Sequence, residues 1–184
     1  MGPLQFQIPE IRPATMGDAV ILDELLPLAT RYALPGFSGP LRTPVRLGQL
    51  ASLDRLLVAD GTAYVVFMGV QPLAMGGWSR FERDPAAPRE PGGGARRLDP
   101  ETEAARVYSL AVRSNFAGLG LAAGILEECA AAARVEGFRR LALMAIPEAV
   151  SMCIRCGFEE IRRLQVELDG ELVPAVEMEL RLRR

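Results

Sequence analysis

One stretch of the sequence decides the fold: Arg106-Val107-Tyr108-Ser109-Leu110-Ala111-Val112-Arg113-Ser114-Asn115-Phe116-Ala117-Gly118-Leu119-Gly120-Leu121-Ala122-Ala123-Gly124-Ile125-Leu126-Glu127. Tyr108, Leu110 and Val112 alternate with smaller or polar residues, which predicts a strand. Gly118 and Gly120 follow where the chain must turn, and apolar residues then recur at helical spacing. The free N–H groups of a first helical turn bind anions when no side chain obstructs them. This strand, loop and helix therefore predict a pyrophosphate site.

The same glycines also fit the dinucleotide-binding pattern G-x-G-x-x-G/A. A dinucleotide-binding domain needs an acidic residue about 20 residues further on, at the end of the next strand. The next predicted strand, Arg140 to Ala145, ends in Ile146-Pro147, and no acidic residue stands there. Too little chain remains for the other strands of such a domain, so the sequence argues against a dinucleotide-binding domain.

Several short segments, in the same order along nearly the whole chain, resemble the motifs of one enzyme family. They are an opening I-R-x-A-x-x-x-D at residues 11–18, a strand G-G-W-S at 76–79, L-x-V-x-P at 110–114 with Ser in place of Pro, a phosphate loop Q/R-x-x-G-x-G/A at 117–122 with Ala in the first place, and Y-x-x-x-G-F at 153–158 with Cys in place of Tyr. The chain resembles the GNAT superfamily of N-acetyltransferases.

This resemblance implies a single α/β (α+β) domain over residues 1–184, interrupted by a flexible insertion at about residues 84–99. It implies a mixed, mostly antiparallel sheet of six to seven strands with helices on both faces. Acetyl-CoA would be the co-substrate and would lie where two parallel strands, Tyr108 to Val112 and Leu141 to Ala145, separate. The expected contacts are main-chain ones: Leu110, Ala111 and Val112 for the pantetheine amides, and Ala117, Gly118, Leu119, Gly120, Leu121 and Ala122 for the pyrophosphate.

The family pattern leaves the acid and the base open. Cys153 stands where the family has its Tyr, so it is the candidate acid, and the alternative is a small core residue. The family's strand Glu corresponds to Arg106. Glu101 and Glu103 lie just upstream and could reach the site, and Glu103 is the candidate base, with a surface role as the alternative for each. Trp78 either lines the acceptor pocket or packs in the core, and Tyr108 is expected to pack in the core on the same side as Leu110.

The composition excludes several classes of function. The net charge is −2 and no basic stripe stands out, so nucleic acid is not an expected partner. The 21 basic residues are all Arg, and without Lys or His the acid–base chemistry must fall to Asp, Glu, Tyr, Cys or water. No metal site is expected, because the pair Cys153 and Cys156 lacks further ligands. Three cysteines without disulfide spacing predict the cytoplasm, and we expect neither a membrane span nor a signal peptide.

The predicted function is transfer of an acetyl or other acyl group from CoA to an amine of a small molecule or peptide, by direct attack. The alternative is a non-catalytic acyl-CoA-binding regulatory or interaction module, because the Tyr, the strand Glu and the loop Gln/Arg are all absent. The acceptor amine is not predicted. The resemblance also allows a homodimer through the last strands.

Overall fold

Eight strands form one mixed sheet in the computed structural model, which describes residues 9–18, 25, 29–34, 56–82, 95–168 and 171–183. The strands of this sheet are β1 (Glu10–Pro13), β2 (Ala29–Leu34), β3 (Ala63–Met68), β4 (Gln71–Ser79), β7 (Ala105–Arg113), β8 (Arg140–Ala145), β9 (Glu159–Leu168) and β10 (Glu171–Arg181). Their spatial order is β1-β3-β4-β7-β2-β8-β10-β9. Two further short strands, β5 (Phe81–Glu82) and β6 (Arg96–Arg97), pair with each other.

The sheet is antiparallel except where β7 meets β8. These two strands pair in parallel only at Ala105 with Leu141 and Arg106 with Ala142, and then separate. β2 lies in the gap, so that Ala33 is paired with both Leu110 and Ala145. The predicted fold class is confirmed, and β2 is the strand beyond the six to seven expected.

The sequence does not predict the strand β2. Its apolar pattern places Ala29 on one face of a helix and Tyr32 in an irregular stretch, whereas both residues are in the strand. Leu25, four residues before Ala29, is helical. The apolar pattern continues across the boundary, so periodicity alone does not show where the helix ends.

Two helices with described ends cover one face of the sheet: α1 (Leu121–Val135) and α2 (Val150–Arg155). Both end in the same Gly-Phe motif. Gly137 and Gly157 adopt φ of 89°, and the N–H groups of Phe138 and Phe158 bond to the carbonyls of Ala133 and Cys153. This is the Schellman arrangement, in which a left-handed glycine ends the helix. The predicted C-terminal glycine of α1, Gly137, is therefore confirmed.

The opposite face of the sheet is covered by other helical residues. Leu25 and residues 56–59 are helical, and Leu25, Leu57 and Val58 pack with Val65 and Met75. Helices on both faces agree with the prediction. In the sequence, the apolar run from Leu56 to Val58 predicts the start of a strand. This prediction is wrong, because so short an apolar run has no period that separates strand from helix.

An irregularity in β7 changes which side chains face α1. The pairing with β4 passes from Ser109 opposite Gly77 to Val107 opposite Trp78, so the register skips Tyr108. This is a β-bulge, which interrupts the alternation of side chains. Tyr108 packs with Ala111 on the face away from α1, and not with Leu110 as predicted, although its core position is confirmed.

Some predicted segments lie partly or wholly outside the described residues. The first strand is expected at Phe6 to Ile11, and the described part begins later, with β1 at Glu10. Most of the predicted insertion at residues 84–99 is not described, but its end contains β6. The predicted turn Asp169-Gly170 is also outside the described residues.

Candidate active site

The glycine loop joins β7 to α1 through a single 3₁₀ turn, Ser114–Phe116, which the N–H of Ala117 closes at 3.2 Å from the oxygen of Ser114. Gly118 and Gly120 then adopt φ of 82° and 81°. Only glycine takes this left-handed backbone without strain. Gly120 is the N-cap, and the first helical bond runs from the N–H of Gly124 to its oxygen at 3.0 Å.

The main-chain N–H groups of this loop are open. No described residue accepts a hydrogen bond from the N–H groups of residues 118–123. A Cβ atom placed on Gly118 or on Gly120 would meet nothing within 4 Å. Unpaired N–H groups at the N-terminus of a 15-residue helix favour an anion, because the helix dipole adds partial positive charge there.

The loop that carries these groups borders a cleft of about 420 Å³ that lies between the loop and α2. Five of the predicted cofactor-contacting residues line it: Val112, Gly118, Gly120, Leu121 and Ala122. The remaining four do not belong to the lining. Leu110 and Ala111 have buried side chains, and Ala117 and Leu119 are exposed beside the cleft.

The main chain of Leu110, Ala111 and Val112 is paired on both sides. β4 covers one edge, with Gly76, Met75 and Ala74 as partners. β2 covers the other edge, where Ala33 lies opposite Leu110 and Thr30 opposite Val112. The edge predicted to receive pantetheine amides is therefore occupied by the chain itself.

Cys153 and Cys156 lie on the same turn of helix in different surroundings. Cys153 is fully buried in the core, and burial raises the pKa of its thiol to about 12. Cys156 lines the cleft, with its Sγ 3.8 Å from the Sδ of Met152, and burial raises its pKa as well. The position of Cys153 counts against its predicted role as acid, which stays a prediction.

Glu103 lies near the opposite end of β7 from the cleft. Arg96 donates to both of its carboxylate oxygens at 2.6 and 2.8 Å, and the N–H of Asp99 donates at 2.8 Å. The pairing with Arg96 and then the bond from Asp99 lower the pKa of Glu103 to about 2. At about 3.3 Å per strand residue, the seven steps along β7 from Ala105 to Val112 alone span roughly 23 Å. Glu103 is thus placed as a surface carboxylate, and its role as base also stays a prediction.

Trp78 and Arg106 both lie away from the cleft. Trp78 is 1% exposed and packs edge-to-face on Phe138, with ring centroids 6.0 Å apart, so it belongs to the core and does not line an acceptor pocket. Arg106, in the place of the family's Glu, lies 3.7 Å from Glu177. Neither side chain is in the lining of the cleft.

Several lining residues were missed by the sequence analysis: Tyr32, Phe116, Ala123, Glu127, Glu148, Ser151, Met152, Arg155 and Cys156. Among the described lining residues, Arg155 carries the only positive charge, against Glu127 and Glu148. Glu148 and Ser151 follow the carboxyl end of β8, and this position could have indicated them. Nothing in the sequence indicates Tyr32, because it reaches the cleft through β2.

The described part of the chain shows neither a metal centre nor a helix that could span a membrane. It holds no group of three or more Cys, Asp or Glu side chains arranged for a metal ion. None of its helices has the length and apolar character that a bilayer crossing requires.

Comparison with known proteins identifies the architecture. The sequence matches no protein-family profile and no curated protein sequence. Among solved structures, a ribosomal-protein-alanine N-acetyltransferase from Brucella melitensis is similar, with 20% identity, a TM-score of 0.63 and 94% of this chain and 99% of that chain covered. An agmatine N-acetyltransferase in apo form gives 14% identity, a TM-score of 0.65 and coverage of 95% and 99%. The protein yncA from Salmonella typhimurium, with its cofactor acetyl-CoA, has 16% identity and a TM-score of 0.64, and the match covers 96% of this chain and 95% of that chain.

The chain has the N-acetyltransferase fold. The coverage of both chains means that the likeness extends over the whole fold and not over a fragment. The glycine loop and the cleft lie at the end of β7 that carries Val112, beside β2 and α2.

Proposed function

We propose that the protein is an acyl-CoA-dependent N-acyltransferase that moves an acetyl group from acetyl-CoA to an amine. The observation that carries the proposal is the set of open N–H groups at residues 118–123, in the loop that borders the cleft at the Val112 end of β7. The acetyltransferase fold and the acetyl-CoA in the yncA structure support it.

In this proposal the cleft holds the nucleotide end of the cofactor. The N–H groups from Gly118 to Ala122 bind the pyrophosphate, since the N–H of Ala117 already bonds to Ser114, and the main chain of Leu110 to Val112 binds the pantetheine arm. Catalysis then rests mainly on placing the amine against the thioester carbonyl, which removes entropy from the barrier. A main-chain N–H near Val112 stabilises the oxyanion that develops.

The acid and the base are proposed on the sequence alone, as Cys153 and Glu103. The burial of Cys153 and the ion pair of Glu103 argue for other groups or for water. Cys153→Ala and Glu103→Gln test the two roles separately. Unchanged turnover in either variant removes that residue from the mechanism, and a lost acid or base reduces the rate by roughly 10²-fold or more.

The acceptor is proposed only as an amine. The similar structures include enzymes named for a ribosomal-protein alanine and for agmatine, so the fold does not select between a peptide and a small molecule. We also propose a cytoplasmic location, since the three cysteines are free, and leave the homodimer as a proposal to be tested by light scattering.

The first test is binding. Acetyl-CoA at about 100 times its Kd should add about 2.7 kcal/mol to the free energy of unfolding. For a chain of this length that corresponds to a rise in Tm of roughly 5 to 10 °C. NADH at the same concentration is the control, because a dinucleotide-binding domain would respond to it instead. The proposal fails if acetyl-CoA leaves the Tm unchanged.

The second test is turnover, followed as free CoA released from acetyl-CoA in the presence of a panel of amines. Release with any physiological amine supports the acyltransferase. The non-catalytic acyl-CoA-binding module is the second candidate, favoured by the burial of Cys153 in the place of the family's Tyr. Tight binding of acetyl-CoA without release for any amine would favour this candidate.

A further inference from the structure

β2 occupies the gap between β7 and β8 with its main chain. Thr30, Arg31 and Ala33 lie opposite Val112, Ala111 and Leu110, and Ala33 and Leu34 lie opposite Ala145 and Met144. The main-chain groups of β7 that the pantetheine arm would use are therefore facing another strand. A pantetheine arm and β2 cannot both pair with this edge of β7 at the same time.

The end of the cleft beside the glycine loop, unlike the edge of β7, is free of pairing with another described strand. The N–H groups of residues 118–123 have no described partner, and glycines leave the space above the loop free. One end of the candidate cofactor site is thus open, while the other end is filled. A ligand that needs only the open end has nothing to displace.

The pairing of β2 is irregular. The register with β7 shifts between Arg31 and Ala33, so Tyr32 is left without a partner on β7. The carbonyl of Tyr32 accepts a bond from the N–H of Ile146 at 3.2 Å, and its side chain, only partly buried, lines the cleft. Only Ala33 and Leu34 pair with β8. A strand joined by so few pairs is easier to release than the long pairs on either side.

We infer that β2 is a displaceable strand that competes with the pantetheine arm of CoA for the edge of β7 from Leu110 to Val112. The inference rests on the proposed function, since it takes CoA as the ligand. CoA then binds only the fraction of molecules in which β2 has left the gap. Its apparent Kd exceeds the intrinsic value by the inverse of that fraction, whereas the nucleotide half of CoA, 3′-phospho-ADP, binds either form equally.

The first experiment releases β2 by Ala33→Pro. Ala33 lies between β7 and β8, so its N–H points at one of these two strands. Proline has no N–H and therefore removes this hydrogen-bond donor. Losing one ladder hydrogen bond should lower the apparent Kd for CoA by roughly two- to tenfold. The Kd for 3′-phospho-ADP should not change. Both are measured by calorimetry on wild type and variant.

The second experiment locks β2 in place and does not depend on the proline variant folding. Ala29 lies directly opposite Arg113, a position where paired Cβ atoms are close enough for a disulfide. The double variant Ala29→Cys with Arg113→Cys should lose CoA binding by at least about tenfold when oxidised and regain it on reduction. Binding of 3′-phospho-ADP should persist in both forms. The single variant Ala29→Cys, oxidised in the same way, is the matched control.

The outcomes separate this inference from the proposed function. If 3′-phospho-ADP and CoA both bind wild type, and neither the proline nor the disulfide changes the ratio of their affinities, β2 is not a competitor. If neither ligand binds wild type, the proposed function fails together with the inference. A shift in the CoA affinity alone, in opposite directions for the two variants, supports both.

Discussion

The three thiols differ in exposure: Cys129 in α1 and Cys153 in α2 face the core, whereas Cys156, at the end of α2, faces the cleft. Cys129 and Cys153 are fully buried, whereas Cys156 is partly exposed beside Met152. Thiolate is the reactive form, and burial raises the pKa of Cys156, so its reaction is slow at neutral pH and accelerates as the pH rises.

Alkylation with iodoacetamide tests this placement. In the folded protein Cys156 should be labelled first, and acetyl-CoA should slow its labelling because the cofactor would cover the cleft. Mass spectrometry of peptides locates the label, and Cys156→Ser is the control that removes the first reaction. Labelling of Cys153 before Cys156, or no protection by acetyl-CoA, would contradict the placement of the cleft.

Asp18 is the clearest electrostatic feature at the start of the chain. Its carboxylate accepts from both terminal nitrogens of Arg12 at 2.8 and 2.9 Å and from the N–H and hydroxyl of Thr15 at 2.7 and 2.8 Å. The Arg12 guanidinium is the largest cause that holds the pKa of Asp18 well below its usual range, and the two hydrogen bonds from Thr15 add to it. Asp18 ends a 3₁₀ turn, Met16–Asp18, and its carboxylate accepts from the residue that precedes this turn, Thr15.

Asp18→Asn should lower the free energy of unfolding at pH 7 by roughly 2 kcal/mol, since it removes charge-assisted bonds from a buried group. The pKa of Asp18 is lower in the folded state than in the unfolded chain, where it is near 4, so the ionised carboxylate stabilises the fold at a pH above 4. This stabilisation is lost as the pH falls towards the folded-state pKa. The difference between wild type and variant should therefore shrink below about pH 4. Urea unfolding at pH 7 and pH 3 measures it, and Glu160→Gln, at an exposed ion pair with Arg163, should change little. An equal difference at both pH values would refute the role of ionised Asp18.

Among the elements, α1 lies unusually close to β4. A Cβ atom on Gly76 would lie 2.5 Å from Cγ2 of Ile125 and 3.0 Å from Cδ1 of Leu110. Glycine at this position allows the helix that follows the glycine loop to rest directly on the sheet. The resemblance to a G-G-W-S strand therefore has a packing reason at its first residue.

Gly76→Ala should destabilise the protein by about 1–3 kcal/mol, because the added methyl group must push α1 away from β4. Urea unfolding measures the loss, and CoA affinity should fall with it, since α1 carries the loop. Gly17→Ala is the matched control: its nearest atom is 3.6 Å away, and its effect should stay within roughly 0.5 kcal/mol. If the two variants are equally stable, the close approach does not matter.

The elements that the sequence predicted well carry a local signal. The hairpin of β3 and β4 turns at Gly69, whose φ is 61°, as its turn residues indicated. The loop glycines and the end of α1 at Gly137 were predicted for the same reason, because a positive φ selects glycine. β2 and the helical residues 56–59 lack such local signals, and their secondary structure is determined by the neighbours against which they pack.

In the whole molecule, the predicted order of motifs gave the fold, and the mostly antiparallel sheet with one parallel pair agrees with it. The site was predicted only at its main-chain part, from Val112 to Ala122. Other side chains of the lining come from β2 and α2, which meet the loop only through tertiary packing. No spacing along the chain could have indicated that Tyr32 and Cys156 share a cleft.

The double-sided pairing of β2 has a consequence for hydration. A central strand alternately offers its N–H and C=O groups to β7 and to β8. A pantetheine arm has only two amide groups, so it cannot replace all of these bonds. Buried main-chain groups do not remain unpaired. When the pantetheine arm occupies the gap, ordered water would therefore bind the main-chain groups along the edge of β8. The arm would then contact the main chain of β7 on one side and this water on the other.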